Sequence, residues 1–283
     1  NGPVAVGEPA RQEHVKQLSL GDEGKAPGHG RRQQGRIKDG KGVGGHQEWP
    51  MGRHVLPALH PPASAQGAVN VTVDKLANGV YYFRGGTHHS LAIDQADHIV
   101  VVEGPHNEAR SEAVIAKAKE LIPNKPIRYV VNTHVHFDHS GGLRTFVDEG
   151  ATVVTHAMNR PYYEQAWAAP RTINPDRLAK SGKSAMFETV TGKHVLTDGR
   201  RSIEIHDIVG SGHNDAYLLV YLPAEGIAFQ SDAYTPAAPN APPPAAPNPY
   251  SVNLNENIQR LKLNVRQFAP GHGPGVATMA DLR

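Results

Sequence analysis

Cysteine is absent from all 283 residues. That excludes disulfides and thiolate metal sites, and cysteine usage reports nothing about the redox compartment. Long apolar runs are missing too. Nowhere does the chain approach the roughly 18 to 20 consecutive apolar residues that cross a bilayer. An excess of charge of one sign is also lacking: 29 Lys and Arg face 27 Asp and Glu. A net charge of +2 argues against a dedicated nucleic-acid binder. Any metal must therefore be held by nitrogen and oxygen donors. The 17 histidines supply nitrogen donors in unusual number.

Residues 1–68 lack apolar periodicity and hold 13 of the 29 glycines. Such a segment cannot bury enough apolar surface to offset the entropy of ordering it. It is read as a disordered or leader segment, and 69–283 as the folded domain. Nine Lys/Arg against six Asp/Glu fall in the leader, leaving 20 against 21 in the remainder. The basic excess thus belongs to the leader. Ala63-Ser64-Ala65-Gln66 resembles the small-residue end of a secretory signal, but no clean apolar stretch precedes it. Export and retention are both compatible with that pattern.

From Val69 the pattern becomes orderly. Strands are expected at Val71–Val73, Val80–Phe83, Ser90–Ile93 and His98–Val102, separated by Gly-rich and Asp-containing turns. Asn107 can cap a helix running to about Ile122, ended by Pro123 and Pro126. Ile127–Val131 reads as a buried strand, Gly142–Val147 as a short helix and Ala151–Thr155 as the next strand. Further strands are expected at His194–Leu196, Ser202–Ile208, Ala216–Tyr221, Ile227–Gln230 and Arg266–Phe268, with a helix near Val252–Leu263. Mixed strands and helices without a repeat imply one α/β domain. Seven prolines between Thr235 and Pro249 predict a stiff, extended loop, either a surface connector or a wall beside a site.

The decisive string is Thr133-His134-Val135-His136-Phe137-Asp138-His139-Ser140-Gly141-Gly142. Three imidazoles and a carboxylate follow directly on a strand. In an irregular loop, His134 and His136 can converge on one cation while Asp138 and His139 turn toward a second. Such donors suit Zn²⁺, with Fe or Mn as alternatives.

This string resembles the His-x-His-x-Asp-His signature of the metallo-β-lactamase-fold superfamily. Gly210-Ser211-Gly212-His213, Ser231-Asp232 and Pro270-Gly271-His272-Gly273 resemble its later motifs, each after an expected strand. The resemblance covers about residues 70–283 and implies a four-layer αβ/βα sandwich. It implies one metal position formed by His134, His136 and His213. The second would be formed by Asp138, His139 and His272, with Asp232 bridging. Two departures stand out. Glu103 occupies the end of an early strand, where relatives usually carry Asp in support of the ligand loop. The chain also stops eleven residues after His272, where many relatives continue into a closing helix that Ala277–Leu282 would begin.

The ligand set further implies a hydrolase with two Zn²⁺ per chain, cleaving an ester, lactone, thioester or lactam through a hydroxide shared by the ions. Asp138 would also hold or shuttle a proton, and Tyr234 is the leading oxyanion donor, with packing against the proline loop as its blander role. Absence of cysteine excludes the lactamase subclass that places Cys where Asp232 stands, and His134 disfavours the subclass with Asn there. The His-rich lactamase subclass remains, although it normally lacks a bridging carboxylate. Asp232 instead resembles glyoxalase II, the acyl-homoserine lactonases and the phosphodiesterase branch. His136 disfavours flavodiiron chemistry. Rival readings are a mononuclear iron dioxygenase of a sulfur substrate and a metal-binding accessory protein without turnover. A small molecule is the expected partner, without nucleic acid or membrane. Among the remaining histidines, His88 and His89 are candidates for touching substrate, while His98, His106, His156, His194 and His206 read as strand or surface residues.

Overall fold

The computed structural model describes residues 69–242 and 245–282. The leader reading for 1–68 therefore lies outside the described residues, as do Pro243 and Pro244 within the proline-rich stretch. Seven strands form the first sheet: β1 (Thr72–Ala77), β2 (Val80–Gly85), β3 (His88–Asp94), β4 (Ile99–Val102), β5 (Ile127–Val131), β6 (Thr152–His156) and β7 (Phe187–Val190), ordered as they occur in the chain. The first four pair antiparallel, and β4 through β7 run parallel. The parallel pairs need helical crossovers. These are α1 (Glu108–Leu121) and, after β5, α2 (Phe137–Ser140) with α3 (Leu143–Glu149). Between β6 and β7 lie α4 (Arg160–Ala168) and α5 (Arg177–Ser181).

The second sheet is built from β8 (Lys193–Thr197), β9 (Ser202–Asp207), β10 (Leu218–Leu222), β11 (Ile227–Gln230) and β12 (Gln267–Pro270), ordered β12-β11-β10-β9-β8. Only β11 and β12 run parallel, with α6 (Pro249–Arg260) between them, and α7 (Met279–Leu282) follows β12. One apolar layer joins the sheets: Tyr82, Leu91, Val100, Val131 and Val154 meet Ile203, Leu218, Val220 and Phe229. A second lies between the first sheet and the α1, α3 and α5 side, with Val114, Ile115, Leu143, Phe146 and Leu178. A third places Leu254 and Ile258 of α6 under Leu219, Ala228 and Phe268. The layers therefore run helix, sheet, sheet, helix, as the resemblance implied. Among the described residues, no helix is long and apolar enough to cross a membrane.

Several boundaries differ from the sequence expectation for physical reasons. The side chain of Asn248 accepts from the backbone N–H of Tyr250, and Pro249 occupies the first helical position, so α6 starts three residues early. Loop residues 137–140 form one helical turn, because the His136 carbonyl accepts from both His139 N and Ser140 N. The elements α4, α5 and β7 were not expected. The strand β7 has four residues on the sheet edge, and only Val190 among them is fully buried, so no alternating pattern marks it. Ala277 forms a bridge with Phe268, leaving α7 to begin at Met279.

Candidate metal centre

The site lies at the carboxyl ends of β5, β11 and β12 and in the β9–β10 loop. Past β5 the chain leaves the sheet through Asn132, whose backbone N–H still donates to Val154 O. The buried Asn132 amide oxygen accepts from Tyr163 OH at 2.6 Å and Thr155 Oγ1 at 3.2 Å, fixing the start of the loop. Tyr163 belongs to α4, so an element missed in the sequence supports the histidine string. His134 and His139 are fully buried, whereas His136 and Asp138 reach the surface.

Asn253 and Asn257 of α6 grip the carbonyl of Val209 at 3.0 Å each, holding the loop that carries His213. Tyr217 OH accepts from the backbone N–H groups of Ser231, Asp232 and Ala233 at 2.8–3.2 Å, holding the turn that carries Asp232. Gly271 lets the His272 turn lie against that one: a Cβ there would stand 2.8 Å from Ser231 Cα.

All seven residues proposed as ligands converge. The His134, His136 and His213 rings stand edge-to-face with centroids 4.5–5.0 Å apart. His139 and His272 bring their Nε2 atoms within 3.0 Å. Asp232 lies between the two groups. Its Oδ2 is 3.2 Å from Nε2 of both His134 and His213 and 3.0 Å from His139 Nε2, and its Oδ1 is 2.7 Å from His272 Nε2. Asp138 Oδ2 lies 3.4 Å from His139 Nε2.

Hydrogen bonding shows that this arrangement fits cations. His139 Nδ1 faces Glu103 Oε2 at 2.6 Å, and His272 Nδ1 faces the Thr87 carbonyl at 2.9 Å. Both partners are acceptors, so in the neutral rings the protons sit on Nδ1 and the two Nε2 lone pairs point at each other. Asp232 Oδ2 is buried without a well-formed hydrogen bond. Lone pairs and a carboxylate oxygen packed this closely require positive charge among them. Burial opposes a charged His139 ring, but Glu103 and Asp232 outweigh it and hold its pKa up at about 10. Burial alone would raise the Asp232 carboxyl, yet His134, His139, His213 and His272 keep it well below the usual carboxylate range. Burial also lowers the His134 imidazole, against the pull of Asp232.

Glu103 departs from the family pattern in identity while serving the expected place. It is fully buried at the end of β4 and adopts φ 70°, a left-handed conformation uncommon outside glycine. That turn points Oε1 at Thr133 N, 2.7 Å away, and Oε2 at His139. Tyr234 is not drawn into the cluster. Its ring packs 6.1 Å from Phe268 in the apolar layer beside α6. Tyr250, overlooked in the sequence, instead stands edge-on to His213 at 5.6 Å. The described residues of the proline-rich stretch are mostly exposed, as a connector would be, but both its ends flank the ligands. Pro236 abuts Gly273, and Pro249 leads into Tyr250.

His98, His156, His194 and His206 each meet a carboxylate away from the cluster. His106, expected as a strand or surface residue, lies against His88 with centroids 4.0 Å apart. His106 adopts a left-handed backbone (φ 59°).

Comparison with known proteins agrees with this geometry. Residues 84–277 match the metallo-beta-lactamase superfamily. A metallo-beta-lactamase from Pontibacter korlensis is similar at 20% identity with a TM-score of 0.56, over 75% of this chain and 95% of that one. The FIM-1 enzyme from Pseudomonas aeruginosa, solved in a mono-zinc form, is 21% identical with a TM-score of 0.54, over 76% and 92% of the two chains. The alpha subunit of 2,4-dinitroanisole O-demethylase from Nocardioides sp. (strain JS1661) is 21% identical over 143 residues, 49% of this chain and 44% of that one. This chain thus covers less than half the length of that curated relative. From the histidine string, the four-layer sandwich and a family match across most of the described residues, the chain belongs to the metallo-β-lactamase superfamily.

Proposed function

We propose that the protein is a dizinc hydrolase of a small carbonyl compound: an ester, lactone, thioester or lactam. The observation that carries this reading is Asp232, one carboxylate within 3.2 Å of ligand nitrogens from both donor sets. A carboxylate so placed can bridge two cations and offset part of their mutual repulsion. His134, His136 and His213 would hold one ion, and Asp138, His139 and His272 the other. Two bound divalent cations supply a hydroxide near neutral pH and polarise a carbonyl.

The protein's own residues do the rest. Glu103 and the Thr87 carbonyl fix the tautomers of His139 and His272, so that both Nε2 atoms stay aimed at the cluster. Burial raises the Asp138 carboxyl while its contact with His88 lowers it, with a net fall. Asp138 is thus ionised at neutral pH and half exposed at the mouth, where it can accept and return a proton. A cleft of about 570 Å³ lies against α2 and α4, lined by His106, Phe137, Arg144, Tyr162 and Trp167 among others. That volume suits a small organic molecule.

The test pairs metal analysis with a substrate panel of esters, lactones, thioesters and β-lactams. Activated aryl ethers join the panel because the Nocardioides relative is named for one. Two zinc ions per chain and turnover of a carbonyl substrate are expected. One iron per chain with oxygen uptake on a persulfide would replace this reading with the dioxygenase, and two metals without turnover of any substrate would favour the accessory-protein reading.

A further inference from the structure

We propose that His88 is a fourth protein ligand of the second metal position, delivered from the first residue of β3. This rests on the two-metal reading above and adds a donor outside the seven residues assigned to it. His88 Nε2 lies 2.9 Å from Asp138 Oδ2. It forms with Asp138, His139 and His272 a group whose donor atoms all lie within 4.8 Å of one another. His88 and His272 meet edge-to-face at 4.2 Å and 75°, close to the geometry of the three rings in the first set.

The tautomer pattern also repeats. In His134, His139 and His272, Nδ1 is engaged by Thr133 Oγ1, Glu103 and Thr87 O respectively, leaving Nε2 toward the cluster. In His88, Nδ1 meets Thr87 Oγ1 at 2.7 Å, and Nε2 again faces inward. With the proton on Nδ1, the Nε2 lone pair opposes the Asp138 carboxylate at 2.9 Å, a contact that a shared cation makes favourable.

The start of β3 is held in place for this purpose. His89 N donates to Gly271 O at 2.9 Å, His89 Nε2 to Gly273 O at 2.9 Å, and Tyr82 OH to Pro270 O at 2.6 Å. Arg110, itself buried, donates to the His88 carbonyl at 3.1 Å. The segments that carry His88 and His272 are therefore tied together by backbone and side-chain hydrogen bonds. A surface histidine at a strand end would need none of these ties.

The competing role is that His88 only donates a hydrogen bond to Asp138 and orients it. The experiment titrates metal-free protein with Zn²⁺ and Co²⁺, reading affinity for each equivalent and the cobalt absorption spectrum. Circular dichroism checks the fold of every variant. Wild type should bind two ions. His88→Ala should keep the first and bind the second at least about tenfold more weakly. His88→Gln, which can still donate to Asp138, should not restore the second. His88→Cys would place the only cysteine in the chain at the site. Its thiolate should give an intense near-ultraviolet charge-transfer band as the second cobalt binds. If His88→Gln binds both ions with wild-type affinity and spectrum, or His88→Cys binds two cobalt ions without a thiolate band, His88 is not a ligand. Uptake of one ion by the wild type would instead overturn the two-metal reading itself, and the proposal with it.

Discussion

The two donor sets are built from similar ligands but are supported by different chemistry. Behind the first stand neutral hydroxyls. Thr133 Oγ1 lies 3.1 Å from His134 Nδ1, and Ser231 Oγ bridges Thr133 Oγ1 at 2.8 Å and Tyr217 OH at 2.9 Å. Behind the second stands the buried carboxylate of Glu103, and a second carboxylate, Asp138, is among its ligands. A hydroxyl orients an imidazole, whereas a carboxylate also makes it more basic and adds negative charge near the ion. The second position is therefore where negative charge accumulates. It should hold a cation only by competing with a proton on His139.

Metal removal gives the largest expected effect: chelation should abolish hydrolysis, and restored zinc should return it. Acidification should separate the positions, because ligand imidazoles must lose their protons to bind metal. His139 is raised to about 10 by its carboxylate neighbours, so protons already compete at the second position at neutral pH. They compete more strongly with each unit of fall. His134 is lowered by burial and stays a lone-pair donor to below the ordinary histidine value of about 6.5. The second ion should thus leave first as pH falls. Metal content measured by dialysis across pH 8 to 4 checks this, and simultaneous loss of both ions would erase the distinction between the positions.

Asp232→Asn comes next. The amide cannot bridge two cations by charge, so both ions should bind more weakly. A fall of about 100-fold or more in kcat/KM is expected, above the 10 to 100-fold that loss of a supporting partner alone causes. Glu103→Gln tests the charged support directly. An amide N–H would then face His139 Nδ1–H, and affinity for the second ion should drop about 10 to 100-fold while the first is unchanged. Equal losses at both positions would show that Glu103 serves the loop as a whole.

Tyr217→Phe tests the neutral support. It leaves three buried backbone N–H groups without their acceptor, at about 1 kcal/mol or more each. Thermal melting should fall by several degrees, with both ions weakened alike because Asp232 serves both. The smallest effect should come from Tyr250→Phe, which keeps the ring beside His213 and removes only the hydroxyl. Stability should stay within about 0.5 kcal/mol. A change confined to KM would assign the hydroxyl to substrate binding.

What proved legible in the chain was local. Thr133 to Gly142 could be read because one strand end and one helical turn place its donors, and because Val130 and Val131 mark the strand that carries them. Most strands were legible for the same reason, each being a short apolar run between turn residues. The edge strand β7 was not, since its four residues are mostly half-exposed and show no alternating pattern. The short helix α5 likewise buries only Leu178.

By itself, the sequence determined which donors are available: no cysteine, many histidines, and a run of donors whose spacing is set by covalent geometry. Family resemblance could name His213, Asp232 and His272, but only the tertiary structure decided where they meet. Their approach depends on sheet pairing, such as Val220 opposite Phe229, which brings Tyr217 under the Asp232 turn. Likewise, β4 beside β5 sets Glu103 behind His139, 36 residues apart in sequence. The docking of the start of β3 on the Pro270–Gly273 loop places His88 among the ligands, 184 residues from His272. Contacts between residues so distant along the chain are fixed by burial and backbone pairing over the whole domain. No local pattern of residue types encodes them.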